Sequence, residues 1–290
     1  MSKSNHHVYL LIGQSNMAGR APIREKDTNP PRERSFLLDI SGEWVRAEPP
    51  MNWYSTIRKG EDKQKLCPAG SFTREMEEKK AGVSFGLVVN ARGGTKVGQW
   101  QKGGDYYDEA VRRTLQAMET GVLKAILWHQ GESDAENENY VDTLAMMIND
   151  FRLDFGDDSI PFIAGELLQE EGLMTFNERL ATLPDIVEHT AVVSSEGCER
   201  IVGDRHPHFD TESQRIMGVR YAEAVIEMVY GGISSIKSPT THQPVRRIAP
   251  SSDDAPHAIN GARAPSRSTS SPTPLVDPSK GVILKIRSSE

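Results

Sequence analysis

Ser15 directly follows a short apolar run and its turn. Its position suggests a chemical role more strongly than the position of any other residue in the chain does. Residues 8–12 are apolar and end in Gly13, a pattern typical of a strand buried on both faces of a parallel sheet. Gly13 permits a sharp turn, after which we expect Ser15 and Asn16 to cap a helix that begins at Met17. Ligands bind at this edge of open α/β sheets, so Ser15 is a candidate nucleophile near backbone N–H donors. On this stretch alone, a simple helix cap is the alternative.

Polar groups also follow two further predicted strands. Gly93 and Gly94 come after residues 83–89 and allow a tight turn whose amides face the sheet edge. Their spacing matches neither G-x-x-x-x-G-K-[ST] nor G-x-G-x-x-G, which argues against a phosphate-binding loop. Gln130 and Glu132 follow residues 122–128, where an active-site rim would lie. The alternatives are that Gly93 and Gly94 are loop glycines with no catalytic role and that Glu132 is a solvated acid at the start of a helix.

A histidine-containing loop precedes the last predicted helix. Asp204, His206 and His208 lie within five residues of one another. An imidazole has a pKa near neutrality and is the usual base for a serine nucleophile, although a surface His–Asp pair would give the same pattern.

These four stretches together resemble the four signature blocks of the SGNH hydrolases, in the branch of carbohydrate esterase family 6 and sialate O-acetylesterase-like domains. The resemblance covers residues 6–230, and its blocks occur in the family's order. The matching residues are Gly-Gln-Ser-Asn-Met-Ala-Gly at 13–19, Gly-Gly-Thr at 93–95 with Trp100, His-Gln-Gly-Glu-Ser-Asp at 129–134, and His208-Phe209 with Gly218 and Arg-Tyr-Ala at 220–222.

The resemblance implies a role for each of these residues. Ser15 would be the nucleophile, His208 its base and Asp204 the acid that orients the base. The family pattern is Asp-x-x-His, whereas Asp204 precedes His208 by four residues, and His206 therefore remains an alternative base. The oxyanion would be held by the Ser15 amide, a Gly93 or Gly94 amide and the Gln130 side chain, with Gln14 and Glu132 as supporting residues.

The implied function is that of a serine esterase that removes acetyl groups from carbohydrates of the acetylxylan or O-acetylated sialic acid type, through an acyl-enzyme. This scheme needs no metal or cofactor. Two alternatives remain: an acyl hydrolase acting on non-sugar esters, such as a lipase or thioesterase, and a decayed carbohydrate-binding relative. Only the shifted Asp204–His208 spacing favours the decayed relative.

Strands and helices alternate along the chain, which predicts a doubly wound, three-layer α/β/α sandwich with a central parallel sheet, flavodoxin-like as in SGNH hydrolases. Part of the irregular segment 46–69 is expected to form a wall of the substrate groove. The predicted elements are strands 8–12, 83–89, 122–128, 160–164 and 190–193, a hairpin over 35–45, and helices 71–80, 105–119, 140–155, 176–187 (interrupted by Pro184) and one ending near 230.

Composition limits the other possibilities. With 290 residues, a net charge of −7 and no basic cluster, the chain is not expected to bind nucleic acid. No run approaches the ~20 apolar residues of a membrane helix, and no signal peptide is apparent, so a cytoplasmic location is the default expectation. Cys67 and Cys198 match no metal spacing and are expected to be free thiols. Residues 6–231 are predicted to form the esterase domain, and the Ser- and Pro-rich residues 232–290 a disordered tail.

Overall fold

Seven strands and eight helices are found in residues 2–231, the part of the chain that the computed structural model describes. The predicted tail at 232–290 lies outside it. The strands are β1 (His6–Gly13), β2 (Ser35–Leu38), β3 (Trp44–Arg46), β4 (Ser84–Val89), β5 (Val122–His129), β6 (Phe162–Gly165) and β7 (Thr190–Val193). The helices are α1 (Ser15–Ala18), α2 (Glu25–Thr28), α3 (Ala69–Lys79), α4 (Asp105–Met118), α5 (Tyr140–Phe155), α6 (Met174–Leu180), α7 (Leu183–Ile186) and α8 (Thr211–Tyr230), with 3₁₀ turns at Lys3–Asn5, Glu61–Lys63 and Val97–Trp100.

The strands form one sheet in the order β3-β2-β4-β1-β5-β6-β7. All neighbours are parallel except β2 and β3, which form the predicted hairpin at one edge. Strand β1 lies at the centre, between β4 and β5. The loops that follow these three strands therefore meet at one edge of the sheet, as is expected at the switch point of a doubly wound fold.

Strand β1 supplies side chains to both hydrophobic layers. Leu10 and Ile12 pack with residues of α4 and α5 on one face. Tyr9 and Leu11 pack with residues of α3 and α8 on the other. Because consecutive strand residues point to opposite faces, an uninterrupted apolar run requires helices on both sides. The predicted three-layer α/β/α architecture is confirmed.

Several predicted boundaries move. Ser15 and Asn16 do not cap a helix that begins at Met17, because α1 already begins at Ser15 and Gln14 occupies the N-cap position. The helix expected from residue 71 begins at Ala69, with Pro68 as its N-cap residue. The helix expected over 176–187 is divided into α6 and α7. Both cysteines are free thiols. None of the helices in residues 2–231 is long and apolar enough to span a membrane.

Candidate active site

Ser15 begins α1 directly after β1, at the carboxyl edge of the sheet. Gly13 makes this turn possible, because its φ is 133° and a Cβ atom there would lie 2.2 Å from the carbonyl oxygen of His129 in β5. The Gln14 N–H donates to the same oxygen at 2.8 Å, so the ends of β1 and β5 are joined beside the serine. The N–H of Ser15 lies in the first turn of α1 and has no acceptor within the helix. It is therefore available to an oxygen of a ligand.

A cavity of about 560 Å³ opens at Ser15. Its walls come from the loops after β1, β4, β5 and β7 and from the segment before α3. Part of the irregular segment 46–69, at residues 59–65, therefore borders the cavity. The lining residues are Gln14, Ser15, Arg20, Lys59, Asp62, Lys63, Lys65, Gly93, Gly94, Glu132, Ser133, Asp204, His206, Pro207 and His208.

The two predicted glycines lie beside the serine. A Cβ atom on Gly93 would lie 3.3 Å from the Cβ of Ser15 and 2.3 Å from Nη2 of Arg20. Gly94 has a φ of 73° and faces Nζ of Lys59 instead. Gly93 is thus the glycine that approaches Ser15 directly, and a side chain at this position would displace the Arg20 guanidinium and crowd Ser15.

His208 is held by Asp204. Its Nδ1 lies 2.8 Å from Oδ2 of Asp204, while Oδ1 of the same carboxylate accepts the His206 N–H at 3.0 Å. The ring of His206 is exposed, and its centroid lies 5.4 Å from that of His208. Of the two candidate bases, only His208 is both partly buried and hydrogen-bonded through its side chain to Asp204.

The protonation states of this pair suit a base. Burial lowers the pKa of His208, and the hydrogen bond and charge of Asp204 oppose that effect only in part. Burial tends to raise the pKa of Asp204, but the hydrogen bonds from the His206 N–H and the His208 ring outweigh it and lower the pKa. At neutral pH the imidazole is therefore mainly neutral and the carboxylate ionised. With Nδ1 directed to Asp204, Nε2 is the nitrogen left to accept a proton.

Ser15 and His208 line the same cavity without a direct hydrogen bond between them. Within residues 2–231, the side-chain hydrogen bond to Ser15 Oγ comes from Nε2 of Gln14 and is long, at 3.5 Å. Catalytic hydrogen bonds often shorten only when substrate is present.

Gln130 does not reach the cavity, contrary to the sequence-based expectation. Its side chain is fully buried, and three acceptors lie within hydrogen-bond distance of its Nε2: Oδ2 of Asp134 at 2.6 Å, the carbonyl oxygen of Thr95 at 2.9 Å and Oε1 of Gln14 at 3.1 Å. An amide nitrogen has only two hydrogens, so none is left for a ligand. The side-chain amide that lines the cavity belongs to Gln14, whose Oε1 is held by Gln130 and whose Nε2 points towards Ser15.

Glu132 supplies a second carboxyl group to the cavity wall. Oε1 accepts a 2.5 Å hydrogen bond from Nδ2 of Asn16, and Oε2 has no partner in the described structure. Burial raises the pKa of Glu132 to about 7, although hydrogen bonds from Asn16 and from backbone N–H groups oppose this shift. The sequence resemblance pointed to this carboxylate but gave no sign of its contact with Asn16.

Positive charge gathers at the mouth of the cavity, although the chain as a whole carries a net charge of −7. Lys63 is paired with Asp62 at 2.7 Å, whereas Arg20, Lys59 and Lys65 form no salt bridge in the described structure. Nη1 of Arg20 donates to the carbonyls of Gly19 at 2.7 Å and Lys63 at 2.9 Å, which fixes the guanidinium with Nη2 beside Gly93. Sequence reasoning did not identify these cations, because no local pattern joins residue 20 to residues 59–65.

No group of three His, Cys, Asp or Glu side chains in residues 2–231 is arranged to hold a metal ion. The site residues instead form a hydroxyl, an imidazole–carboxylate pair and a set of N–H donors around one cavity. This set of groups can perform acyl transfer.

Comparison with known proteins agrees with this chemistry. The family model described as "Carbohydrate esterase, sialic acid-specific acetylesterase" matches residues 5–227. A protein of Arabidopsis thaliana, named as a probable carbohydrate esterase, is 28% identical over 244 residues, which span 76% of this chain and 90% of that protein. An X-ray structure of an Arabidopsis thaliana protein has a TM-score of 0.69 at 25% identity and covers 78% of this chain and 99% of its own. The fold also resembles that of a carbohydrate acetylesterase from Xanthomonas citri, with a TM-score of 0.56, 20% identity and coverage of 77% and 57%.

Proposed function

The chain belongs to the family of carbohydrate esterases described as sialic acid-specific acetylesterases, and we propose that Ser15, His208 and Asp204 form the catalytic triad with which it removes acetyl groups from sugar hydroxyls. Family membership makes it a carboxylic ester hydrolase. The observation that carries the proposed triad is the 2.8 Å hydrogen bond between His208 and Asp204 in the wall of the cavity that contains Ser15. It also argues against a decayed relative, since the four-residue spacing still permits the His–Asp contact.

Acylation begins when Nε2 of His208 takes the proton of Ser15 and Oγ attacks the ester carbonyl. The bond between Oγ and the acyl carbon forms as the carbonyl π electrons move to oxygen. Asp204 keeps the Nδ1 proton in place and stabilises the imidazolium. When the C–O bond to the sugar breaks, the imidazolium returns its proton to the departing sugar oxygen, and acetyl-Ser15 remains.

The proposed donors to the oxyanion come from residues that line the cavity. They are the N–H groups of Ser15 and Gly93 and Nε2 of Gln14, with the Gly94 amide as the alternative glycine donor. Gln130 supports Gln14 by fixing its Oε1. Fixed donors of this kind stabilise developing charge without reorganising during the reaction.

Deacylation repeats the same steps with water. His208 takes a proton from the water molecule, whose oxygen attacks the acetyl carbon, and then returns the proton to Oγ as acetate leaves. Glu132 does not attack in this scheme. Its contact with Asn16 makes it a residue that orients the loops around Ser15.

The charges of the cavity favour an acidic sugar as substrate. Arg20, Lys59 and Lys65 line the same cavity as Ser15 and form no salt bridge within residues 2–231, in a protein that is acidic overall. A carboxylate on the sugar would pair with these cations, because charge-assisted hydrogen bonds are stronger than hydrogen bonds between neutral groups. Acetylated sialic acid carries such a carboxylate and neutral acetylxylan does not, so the substrate is of the sialate type.

The experiment compares acetate release by wild type and Ser15→Ala from O-acetylated sialic acid, from acetylated xylan and from p-nitrophenyl esters of increasing acyl length. We expect the highest kcat/KM on the acetylated acidic sugar and the loss of activity in Ser15→Ala, with an unchanged circular dichroism spectrum. A preference for long acyl chains would instead indicate a lipase or thioesterase. Full activity of Ser15→Ala would remove Ser15 from its role.

A further inference from the structure

Asn16 joins the loop that carries the base to the residue next to the nucleophile. It directly follows Ser15 in α1 and is fully buried. Its Nδ2 donates to the carbonyl of Pro207 at 3.0 Å, and its Oδ1 accepts the N–H of Phe209 at 2.9 Å. These two backbone groups belong to the residues on either side of His208.

Every donor and acceptor position of the Asn16 side-chain amide is occupied by a hydrogen bond. Besides the two contacts beside His208, Nδ2 donates to Oε1 of Glu132 at 2.5 Å, and Oδ1 accepts a long hydrogen bond of 3.4 Å from Nε2 of Gln214. Two donated and two accepted hydrogen bonds are the full capacity of an asparagine side chain. Aspartate could accept the same bonds but, when ionised, could donate none.

Few other bonds hold the histidine loop at this point. The backbone hydrogen bonds of residues 205–209 otherwise stay within the loop, such as His208 N–H to the His206 carbonyl at 2.7 Å and Ile201 N–H to the His208 carbonyl at 2.9 Å. In the described structure, both hydrogen bonds that join residues 205–209 to residues outside 199–210 are made with Asn16, which donates to the Pro207 carbonyl and accepts the Phe209 N–H. Packing of Phe209 against the ring of His129, with centroids 5.2 Å apart, adds an apolar contact.

We propose that Asn16 is a positioning residue that sets the distance between His208 and Ser15 by clamping the backbone on both sides of the histidine. The inference rests on the proposed function of Ser15 and His208. Asn16 touches neither the reacting carbon nor the proton in transit. It acts by keeping Nε2 of His208 within reach of Oγ, and Glu132 in turn fixes the orientation of its amide.

Asn16→Ala tests the clamp. Misplacement of a catalytic group by about 1 Å can cost about 10²-fold in rate, so we expect kcat to fall by about that factor while KM changes little. Release of the loop would also expose His208, and its pKa, now lowered by burial, would rise. The acidic limb of the kcat/KM profile should therefore move to higher pH. An unchanged kcat and pH profile in a folded variant would overturn the proposal.

Asn177→Ala is the matched control. Asn177 is also buried and also clamps a loop, with Oδ1 accepting the Leu167 N–H and Nδ2 donating to the Leu167 carbonyl, both at 2.8 Å. It does not line the cavity. We expect it to lower the free energy of unfolding without changing the kcat or pH profile of the folded enzyme. If both variants lose activity only in proportion to their unfolded fraction, Asn16 has a structural role alone.

Asn16→Asp serves if Asn16→Ala does not fold, because it keeps the size of the side chain and the acceptor for Phe209. Its activity relative to wild type should increase as the pH falls, since a protonated aspartic acid can again donate a hydrogen bond. A pH-independent ratio of one would contradict the clamp. Loss of activity in Ser15→Ala together with full activity in either Asn16 variant would reject the clamp and leave the proposed function standing.

Discussion

Nδ1 of His208 lies 2.8 Å from Oδ2 of Asp204 although the two residues are four positions apart. A tight turn accommodates the extra residue: His208 N–H donates to the His206 carbonyl, and His206 N–H donates to the other oxygen of Asp204. The histidine between them is left with its ring exposed. This arrangement distinguishes the two candidate bases.

Substitution of each histidine in turn tests this distinction. His208→Ala should lower kcat by roughly 10⁴-fold or more, as removal of the base does in serine hydrolases. His206→Ala should retain most activity, because only the backbone N–H of His206 contacts Asp204. Steady-state kinetics of both variants provides the measurement. The reverse order of effects would make His206 the base.

Gln14 and Gln130 should respond differently to truncation. Gln14→Ala removes a proposed oxyanion donor and should cost about 2.7–4 kcal/mol in transition-state stabilisation, the effect of losing a single donor. Gln130→Ala leaves the Thr95 carbonyl without its side-chain donor and Oδ2 of Asp134 with only the Val97 N–H, so about 1–3 kcal/mol of folding stability should be lost. Any loss of kcat in Gln130→Ala should arise only because Oε1 of Gln14 is no longer held in place. Kinetics and urea unfolding of both variants separate these effects. Equal losses of kcat with equal stabilities would contradict the assignment.

Glu132 should make stability depend on pH. Its pKa is raised from 4.5 to about 7 in the folded protein, so the folded state binds the proton more tightly than the unfolded chain. The stabilising contribution of this proton is complete below about 4.5 and is lost as the pH rises through about 7. Glu132→Gln keeps an acceptor for Asn16 and removes the titration. The stability difference between wild type and variant should therefore move in favour of the variant between pH 4.5 and 7. Urea unfolding across this range measures it, and parallel curves would rule out the raised pKa.

The cations at the cavity mouth should act on charged substrates alone. Arg20→Ala or Lys59→Ala should raise KM for an acetylated acidic sugar roughly 10- to 100-fold, since a hydrogen bond to a charged group contributes about 1.5–3 kcal/mol. KM for the neutral p-nitrophenyl acetate should change little.

Lys124→Ala is the control for this effect, because Lys124 lies in β5 outside the cavity. The wild-type preference for the acidic sugar should also weaken with added salt, which screens exposed charges. If every variant hydrolysed the acetylated acidic sugar and the methyl ester of its carboxylate equally well, these cations would have no part in substrate selection.

The sequence was informative about the fold and about the loops that carry the site. Apolar residues dominate β1, β4 and β5, with Lys124 as a charged exception in β5, and this pattern predicted a sheet buried on both faces. Parallel strands end at a common edge, and Ser15, Gly93 and Glu132 were therefore expected to meet there. The antiparallel hairpin of β2 and β3 could be recognised because it depends on local turn residues.

The details that the sequence did not contain are side-chain directions and contacts between distant residues. Gly13 and Gly131 have φ values of 133° and 153°, so the direction of the following side chains cannot be inferred from strand alternation. The resemblance assigned Gln130 to the oxyanion hole, whereas the fold buries Gln130 and places the side chain of Gln14 in the cavity wall. The contact of Asn16 with Pro207 joins positions 191 residues apart, and only the assembled fold brings them together.

Trapping of the acyl-enzyme determines whether Ser15 is the nucleophile. Wild-type enzyme mixed with excess acetyl ester and quenched with acid within one turnover should yield a peptide acetylated at Ser15 by mass spectrometry, and His208→Ala should yield little or none. Acetylation at another residue during turnover, or rapid turnover with Ser15 never modified, would contradict the account.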